Sequence, residues 1–199
     1  MSLLKKYKWT WLLLAILILL AGYLLFTSLN KPKLPVIGPV ESFSMENVDG
    51  RTITLADTQG QVRLFYFFFS NCPDVCPLTT FRLSQVQDIL KEKGLFGKDA
   101  SFVSVTFDPE RDTLENMKAF GDKFKVDYSG WYFLRGDQQQ TMDLAINSFK
   151  TLITKDQSGN FVHADLIGLV DRDGNLRDIY RPEATAEEIA KGVANLAKE

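Results

Sequence analysis

An apolar run near the middle of the chain restricts the possible folds more than any other segment. Residues 62–69 are of strand length and include five aromatic side chains, with Arg63 as the single charged residue among them. A strand of this composition is typical of the centre of a sheet that is covered on both faces. The run therefore predicts a central, fully buried strand.

Strand and helix patterns alternate on either side of this run. A hairpin is predicted at 43–55, where Asp49 and Gly50 lie between two short alternating segments. Helices are predicted at 77–93, 113–125, 138–149 and 184–197, and further strands at 101–107, 131–134, 166–170 and 176–180. This order is typical of an α/β, thioredoxin-like fold with an N-terminal β-hairpin and an insertion before the final hairpin.

A second apolar segment lies near the N-terminus. No charged residue occurs between Trp9 and Asn30, and a helix of roughly 20 apolar residues spans a bilayer. A cleaved signal peptide is the alternative, but its apolar region is usually only ~7–15 residues long, and residues 27–30 form a poor cleavage site. We expect one uncleaved transmembrane helix, with a cytoplasmic N-terminus at 1–8, an anchor at 9–29, a linker at 30–40 and a folded domain at 41–199.

Charge gives the expected orientation of this anchor. Lys5, Lys6 and Lys8 precede the apolar segment, which predicts that they stay in the cytoplasm and that the domain lies on the extracytoplasmic side of a cytoplasmic membrane. No Arg- and Ser-rich transit segment precedes the helix, which favours a bacterial membrane. The formal net charge is −2, and the three lysines leave −5 for the rest of the chain. An acidic domain argues against nucleic acid as a partner.

The only two cysteines, Cys72 and Cys76, lie between the central strand and the first long helix, where α/β folds place their sites. Residues four apart share one face of a helical turn, so the sulfurs can bind one metal ion or close into a disulfide. A helix N-terminus also favours the thiolate form. A structural disulfide is the alternative, although so short a loop gains only about 2 kcal/mol from a bridge.

The single histidine, His163, precedes the predicted final hairpin. A lone histidine is usually structural, but in a thioredoxin-like fold the loop that enters the last hairpin lies beside the start of the first helix. We therefore expect His163 to approach the cysteines. Two thiolates and one imidazole suit a copper ion, as Cu(I) or, with an added ligand, as Cu(II). Zinc would also fit these donors, although it generally takes a fourth ligand.

Three separated motifs resemble the Sco/SenC family: Asn-Cys-Pro-Asp-Val-Cys-Pro at 71–77, Val-Thr-Phe-Asp-Pro-Glu-Arg-Asp-Thr at 105–113, and Val-His-Ala-Asp at 162–165 leading to Leu-Val-Asp-Arg-Asp-Gly at 169–174. The resemblance covers about residues 36–197. It implies a copper metallochaperone for the dinuclear copper centre of cytochrome c oxidase, with copper bound by the residues that match Cys72, Cys76 and His163.

The resemblance also singles out one further acidic residue, and the sequence differs from the family's usual pattern at two positions. Asp108 matches an acidic position near the family's metal site, which implies a supporting role behind the ligands; a turn acid at a strand end before proline is the alternative. Ser70 stands where the family often has an aromatic residue or threonine, and Leu114 where it often has proline. Neither departure removes a ligand.

Three functions are compatible with these residues. The first is copper delivery to the copper-bearing subunit of cytochrome c oxidase. The second is a thiol-disulfide oxidoreductase that uses Cys72 and Cys76 as catalytic residues to reduce that subunit or another exported protein, with a thiol reductant protein as a further partner. The third is a sensor or binding module. Copper delivery requires His163, whereas thiol-disulfide exchange does not.

Overall fold

In the computed structural model the chain divides into two units, Met1–Leu34 and Pro35–Glu199. The structure describes residues 7–29, 33–73, 75–151, 153–155, 161–163 and 165–199, and of these only the backbone is described at 26–29, 153–155 and 161–163. The first unit contains helix α1, Lys8–Leu29, whose length is about 33 Å. Among the described residues, this helix is long and apolar enough to cross a bilayer, a property that signal sequences share.

The second unit alternates strands and helices as the sequence predicts. The described strands are β1 (Gly38–Pro39), β2 (Ser44–Asn47), β3 (Thr52–Thr54), β4 (Val62–Phe68), β5 (Ala100–Thr106), β6 (Trp131–Arg135), β7 (Ile153–Lys155), β8 (Phe161–His163), β9 (Ile167–Val170) and β10 (Asn175–Tyr180). The described helices are α2 (Val75–Glu92), α3 (Leu114–Asp122), α4 (Gln138–Phe149) and α5 (Ala186–Leu196).

Eight of these strands form one mixed sheet in the order β1-β10-β9-β4-β5-β6-β2-β3. Strand β4 is parallel to β5 and antiparallel to β9, and all seven of its residues are buried. Helix α2 packs against α5, which also contacts β4. The predicted central strand, the N-terminal hairpin β2–β3 and the thioredoxin-like fold are therefore confirmed.

The insertion before the final hairpin contains a feature that the sequence did not predict. Strands β7 and β8 pair with each other as a separate two-stranded sheet. A second unpredicted strand, β1, lies in the expected linker and pairs with β10 at the sheet edge. Its Pro39 is compatible with an edge strand, where a missing N–H breaks no ladder between two neighbours.

Helix boundaries differ from the predictions by up to three residues. Helix α4 has the predicted bounds, whereas α2 begins two residues earlier than predicted and α3 ends three residues earlier. Helix α5 begins two residues later, because the Thr185 side chain caps it and Glu188 completes a capping box. The early start of α2 matters most, since it places Cys76 in the first helical turn.

The single charged residue of the central strand is accommodated by hydrogen bonds to two other parts of the domain. Arg63 is fully buried, and its guanidinium donates to the Asp171 carbonyl oxygen and to the Thr58 hydroxyl. Desolvation lowers the pKa of Arg63 to about 10, although Asp171 and Asp173 oppose the shift. The buried charge thus links the central strand to the loop between β9 and β10.

Candidate metal centre

Both cysteines lie where the chain leaves the central strand and enters α2. The Cys72 backbone N–H donates to the Phe69 carbonyl oxygen at 3.2 Å, which forms a tight turn after β4. Cys72 is 9% exposed and Cys76 is completely buried. Both are free thiols, so the cysteine segment is a reduced pair at the carboxyl end of a central strand.

Burial controls the acidity of the inner thiol. Desolvation raises the pKa of Cys76 far above its ordinary value; a backbone hydrogen bond from Phe69 opposes the shift, and the neighbouring Cys72 adds to it. The prediction that the helix N-terminus favours the thiolate is therefore wrong for Cys76, because the desolvation cost exceeds the ~0.3–1 kcal/mol that a helix terminus typically supplies. A bound cation would offset this cost, since metal coordination deprotonates a thiol.

Two polar atoms near the thiols have weak or no hydrogen bonds to the described residues. The buried Tyr66 hydroxyl lies close enough to Cys76, Asp165 and Cys72 for these groups to reinforce the rise in its pKa that burial causes. Among the described residues, Asp165 Oδ1 has no hydrogen-bond partner, and the Tyr66 hydroxyl has only a weak interaction with the Cys76 thiol, which falls short of hydrogen-bond geometry. Unpaired buried polar atoms are uncommon in folded proteins and are a feature of sites that receive a ligand.

A distant stretch of chain reaches the same end of the sheet. Strand β9 runs antiparallel to β4 with Ile167 opposite Tyr66, so the segment that enters β9 arrives where the cysteine segment leaves β4. Within it, Asp165 Oδ2 accepts a hydrogen bond of 2.6 Å from the Thr79 hydroxyl. Thr79 lies three residues after Cys76, on the same face of α2. The geometry agrees with the expected approach of the final hairpin's entry to the first helix.

His163 belongs to this distant stretch. His163 is the last residue of β8, and its backbone pairs with Ile153. The structure describes only the backbone of His163, not its side chain. Among the described side chains, no group of three His, Cys, Asp or Glu residues could hold a metal ion. The described part of the site therefore supplies two sulfur donors, and the role of His163 as a third ligand stays a prediction.

Sequence reasoning missed the carboxylate that anchors the cysteine segment. Asp112 is fully buried and accepts hydrogen bonds from the Ser70 backbone N–H, from the Ser70 hydroxyl and from the Thr106 hydroxyl.

Asp108, which the resemblance singled out, is also buried and forms an ion pair with Arg111 at 2.5 Å. Its supporting role at a metal site stays a prediction.

Comparison with protein-family models matches residues 37–198 to a family described as SCO1/SenC. The chain belongs to the SCO1/SenC family. Its relatives include the SCO1 protein homolog of Bacillus subtilis, with 31% identity over 148 residues that cover 73% of this chain and 75% of the relative. The recognition made from the three motifs is therefore confirmed.

Solved structures of SCO1/SenC relatives have the same fold. BsSco, described as a member of the Sco family of cytochrome c oxidase assembly proteins with a disulfide switch, is 28% identical with a TM-score of 0.73, covering 83% of this chain and 98% of its own. Bradyrhizobium japonicum ScoI, solved with copper bound, is 28% identical with a TM-score of 0.66, covering 80% of this chain and 99% of its own.

The donors of this SCO1/SenC site fit a soft metal ion. Cys72 and Cys76 are thiols in mutual contact range, and thiolate ligands select Cu(I) over hard cations. Burial raises the pKa of Cys76, so a bound cation would favour its thiolate. Chemically, the pair can bind a soft metal or form a disulfide.

Proposed function

We propose that this protein is a membrane-anchored copper metallochaperone that delivers copper to the dinuclear copper centre of cytochrome c oxidase. The observation that supports it most is the hydrogen bond between Thr79 and Asp165, because it brings the segment that carries His163 to the turn that carries Cys76. Family membership and the copper-bound relative agree with this proposal.

The cargo ion would be held by the sulfurs of Cys72 and Cys76 and by the imidazole of His163. These three donors favour copper over zinc, which generally takes a fourth ligand. Cys72 retains 9% exposure whereas Cys76 has none, so an incoming thiolate of the recipient would replace the Cys72 sulfur first. Copper would then pass by stepwise ligand exchange to the copper-bearing subunit of the oxidase.

The location follows from helix α1. Its apolar length supports a single-pass anchor, and the lysines before it favour an extracytoplasmic domain by the positive-inside rule. Protease added to intact spheroplasts should degrade the domain of the full-length protein and spare an N-terminal tag. Protection of the domain in intact spheroplasts, with degradation only after lysis, would overturn this orientation.

A transfer experiment tests the delivery function. The copper-loaded protein is mixed with the metal-free, reduced copper-bearing domain of the oxidase subunit, the two are separated, and copper is measured in each. We expect copper to move to the recipient, and we expect Cys72→Ala and Cys76→Ala to deliver none. A wild-type protein that binds copper but keeps it in the presence of the reduced recipient would overturn copper delivery.

A second function, thiol-disulfide exchange, is supported by the adjacent free thiols and by the disulfide switch described for BsSco. Here a Cys72 or Cys76 thiolate attacks a disulfide of an exported protein, a mixed disulfide forms, and the remaining cysteine resolves it, so that the client is reduced and the pair is oxidised. A thiol reductant protein would then restore the pair. This activity should survive His163→Ala, whereas copper delivery should not.

A further inference from the structure

The hydrogen bond between Thr79 and Asp165 joins two parts of the chain that are 86 residues apart. The Thr79 hydroxyl donates to Asp165 Oδ2 at 2.6 Å, and Thr79 is only 2% exposed. A hydrogen bond to a carboxylate is stronger than one between neutral groups, and shielding from water strengthens it further. The contact is therefore a stable, specific hydrogen bond between the two segments.

This link joins the two chain segments that carry the expected metal ligands. Asp165 follows His163 by two residues, so their backbones are at most about 7 Å apart. Thr79 follows Cys76 by three residues in α2, a spacing that sets the Cβ atoms about 5–6 Å apart. The bond thus connects the backbone next to the imidazole with the helical turn next to the inner sulfur.

Asp165 also lies near the thiols by way of Tyr66 on the central strand. Tyr66 interacts electrostatically with Cys76, with Asp165 and with Cys72. Asp165 Oδ1 has no hydrogen-bond partner among the described residues. One tyrosine side chain therefore lies within electrostatic range of both cysteines and of the Asp165 carboxylate.

Strand pairing alone does not fix the position of His163. Strand β8 pairs with β7 in a sheet of its own, separate from the main sheet. The main-sheet register resumes only at Ile167, opposite Tyr66. Between these points, Asp165 supplies a side-chain tie from the histidine segment to α2.

We propose that Thr79 and Asp165 are positioning residues whose hydrogen bond holds the His163 segment against the first turns of α2, so that the imidazole and both sulfurs meet at one copper ion. This inference rests on the proposed copper function. Partners that orient a ligating histidine typically contribute 10–100-fold to metal affinity. Thr79 and Asp165 act on the backbone that carries the histidine, and we expect a similar effect.

Matched variants of the full-length protein in detergent separate the hydrogen bond from side-chain volume. Thr79→Val keeps the shape and removes the donor, whereas Thr79→Ser keeps a hydroxyl. Asp165→Ala removes the acceptor, whereas Asp165→Asn keeps one. We expect Thr79→Val and Asp165→Ala to weaken copper binding about tenfold or more and to weaken the imidazole nitrogen coupling in the Cu(II) electron paramagnetic resonance spectrum. Thr79→Ser and Asp165→Asn should retain both properties.

Two further measurements complete the test: a double-mutant cycle of copper affinity with His163→Ala, and the reduction potential of the cysteine pair. In the His163→Ala background, Thr79→Val should have no further effect on copper affinity, because the two changes remove the same interaction. The reduction potential of the cysteine pair should stay unchanged in Thr79→Val. Should that variant fail to fold, Asp165→Ala is measured in the same way.

The outcomes distinguish a failure of the proposed copper site from a failure of the positioning role of Thr79 and Asp165. If His163→Ala binds copper as tightly as the wild type, the proposed copper site itself is wrong. If His163→Ala weakens binding but neither Thr79→Val nor Asp165→Ala does, the copper site stands and the positioning role is overturned. Full additivity of Thr79→Val and His163→Ala would also overturn it, since the two residues would then act independently.

Discussion

Asp112 accepts hydrogen bonds from both the backbone N–H and the side-chain hydroxyl of Ser70, with distances of 3.0 and 3.2 Å from the Ser70 nitrogen to its two carboxylate oxygens. Ser70 is two residues before Cys72, at the point where the chain leaves β4. The buried carboxylate also accepts from Thr106 at the end of β5. A single acidic side chain therefore joins the ends of two parallel strands and fixes the start of the cysteine segment.

Asp112→Ala should lower the free energy of unfolding of the reduced 35–199 domain by about 3 kcal/mol, because it leaves several buried donors without an acceptor. Ser70→Ala serves as the control and should cost only about 1 kcal/mol, since the Ser70 backbone N–H keeps its bond. Urea unfolding measures both values. Equal losses for the two variants would contradict the anchoring role of Asp112.

The inner thiol should react slowly at neutral pH. In folded Cys72→Ser at pH 8, Cys76 should be alkylated at least about tenfold more slowly than in the same variant unfolded in urea, because only an exposed thiolate reacts and burial both shields Cys76 and raises its pKa. A folded rate equal to the unfolded rate would contradict the account of Cys76.

Packing of the terminal helix offers a test away from the metal site. A Cβ added at Gly192 in α5 would lie 1.8 Å from the Tyr180 hydroxyl oxygen and 3.1 Å from its Cζ atom. Gly192→Ala should therefore reduce the free energy of unfolding by about 1 kcal/mol, because overpacking costs ~1–3 kcal/mol and the gain in helix propensity offsets ~1 kcal/mol of it. Adding Tyr180→Phe removes the clashing oxygen and should restore most of the loss. A double variant no more stable than Gly192→Ala would contradict this packing.

Local patterns predicted most of the fold, and the misses have local causes. The long apolar run of β4 and the amphipathic pattern of α5 are strong local signals. The helix at 77–93 was predicted two residues too late, and a proline so near the start of a helix does not prevent the helix from beginning earlier. Pro77 shows why. It is in fact the third residue from Val75, where the missing N–H is still one of the four that have no helical partner. The three-residue strands β7 and β8 are too short to produce a periodic signal.

The same contrast between local and long-range information applies to the residues of the site. Cys72 and Cys76 could be singled out because the chain has no other cysteine. Asp112 and Asp165 belong to the motifs at 105–113 and 162–165, but the sequence does not show that they accept hydrogen bonds from Ser70 and Thr79. Those pairings arise only when strand ends and a helical turn come together in the folded domain. Side chains that support a site through long-range contacts are therefore the part that sequence reasoning cannot supply.

The most direct test of the account is a copper titration of the purified, reduced protein alongside Cys72→Ala, Cys76→Ala and His163→Ala. We predict that the wild type binds one copper ion per chain, that each cysteine variant loses tight binding, and that His163→Ala binds about tenfold or more weakly. Binding by His163→Ala that equals the wild type would contradict the three-ligand site and leave thiol-disulfide chemistry as the function of the two cysteines.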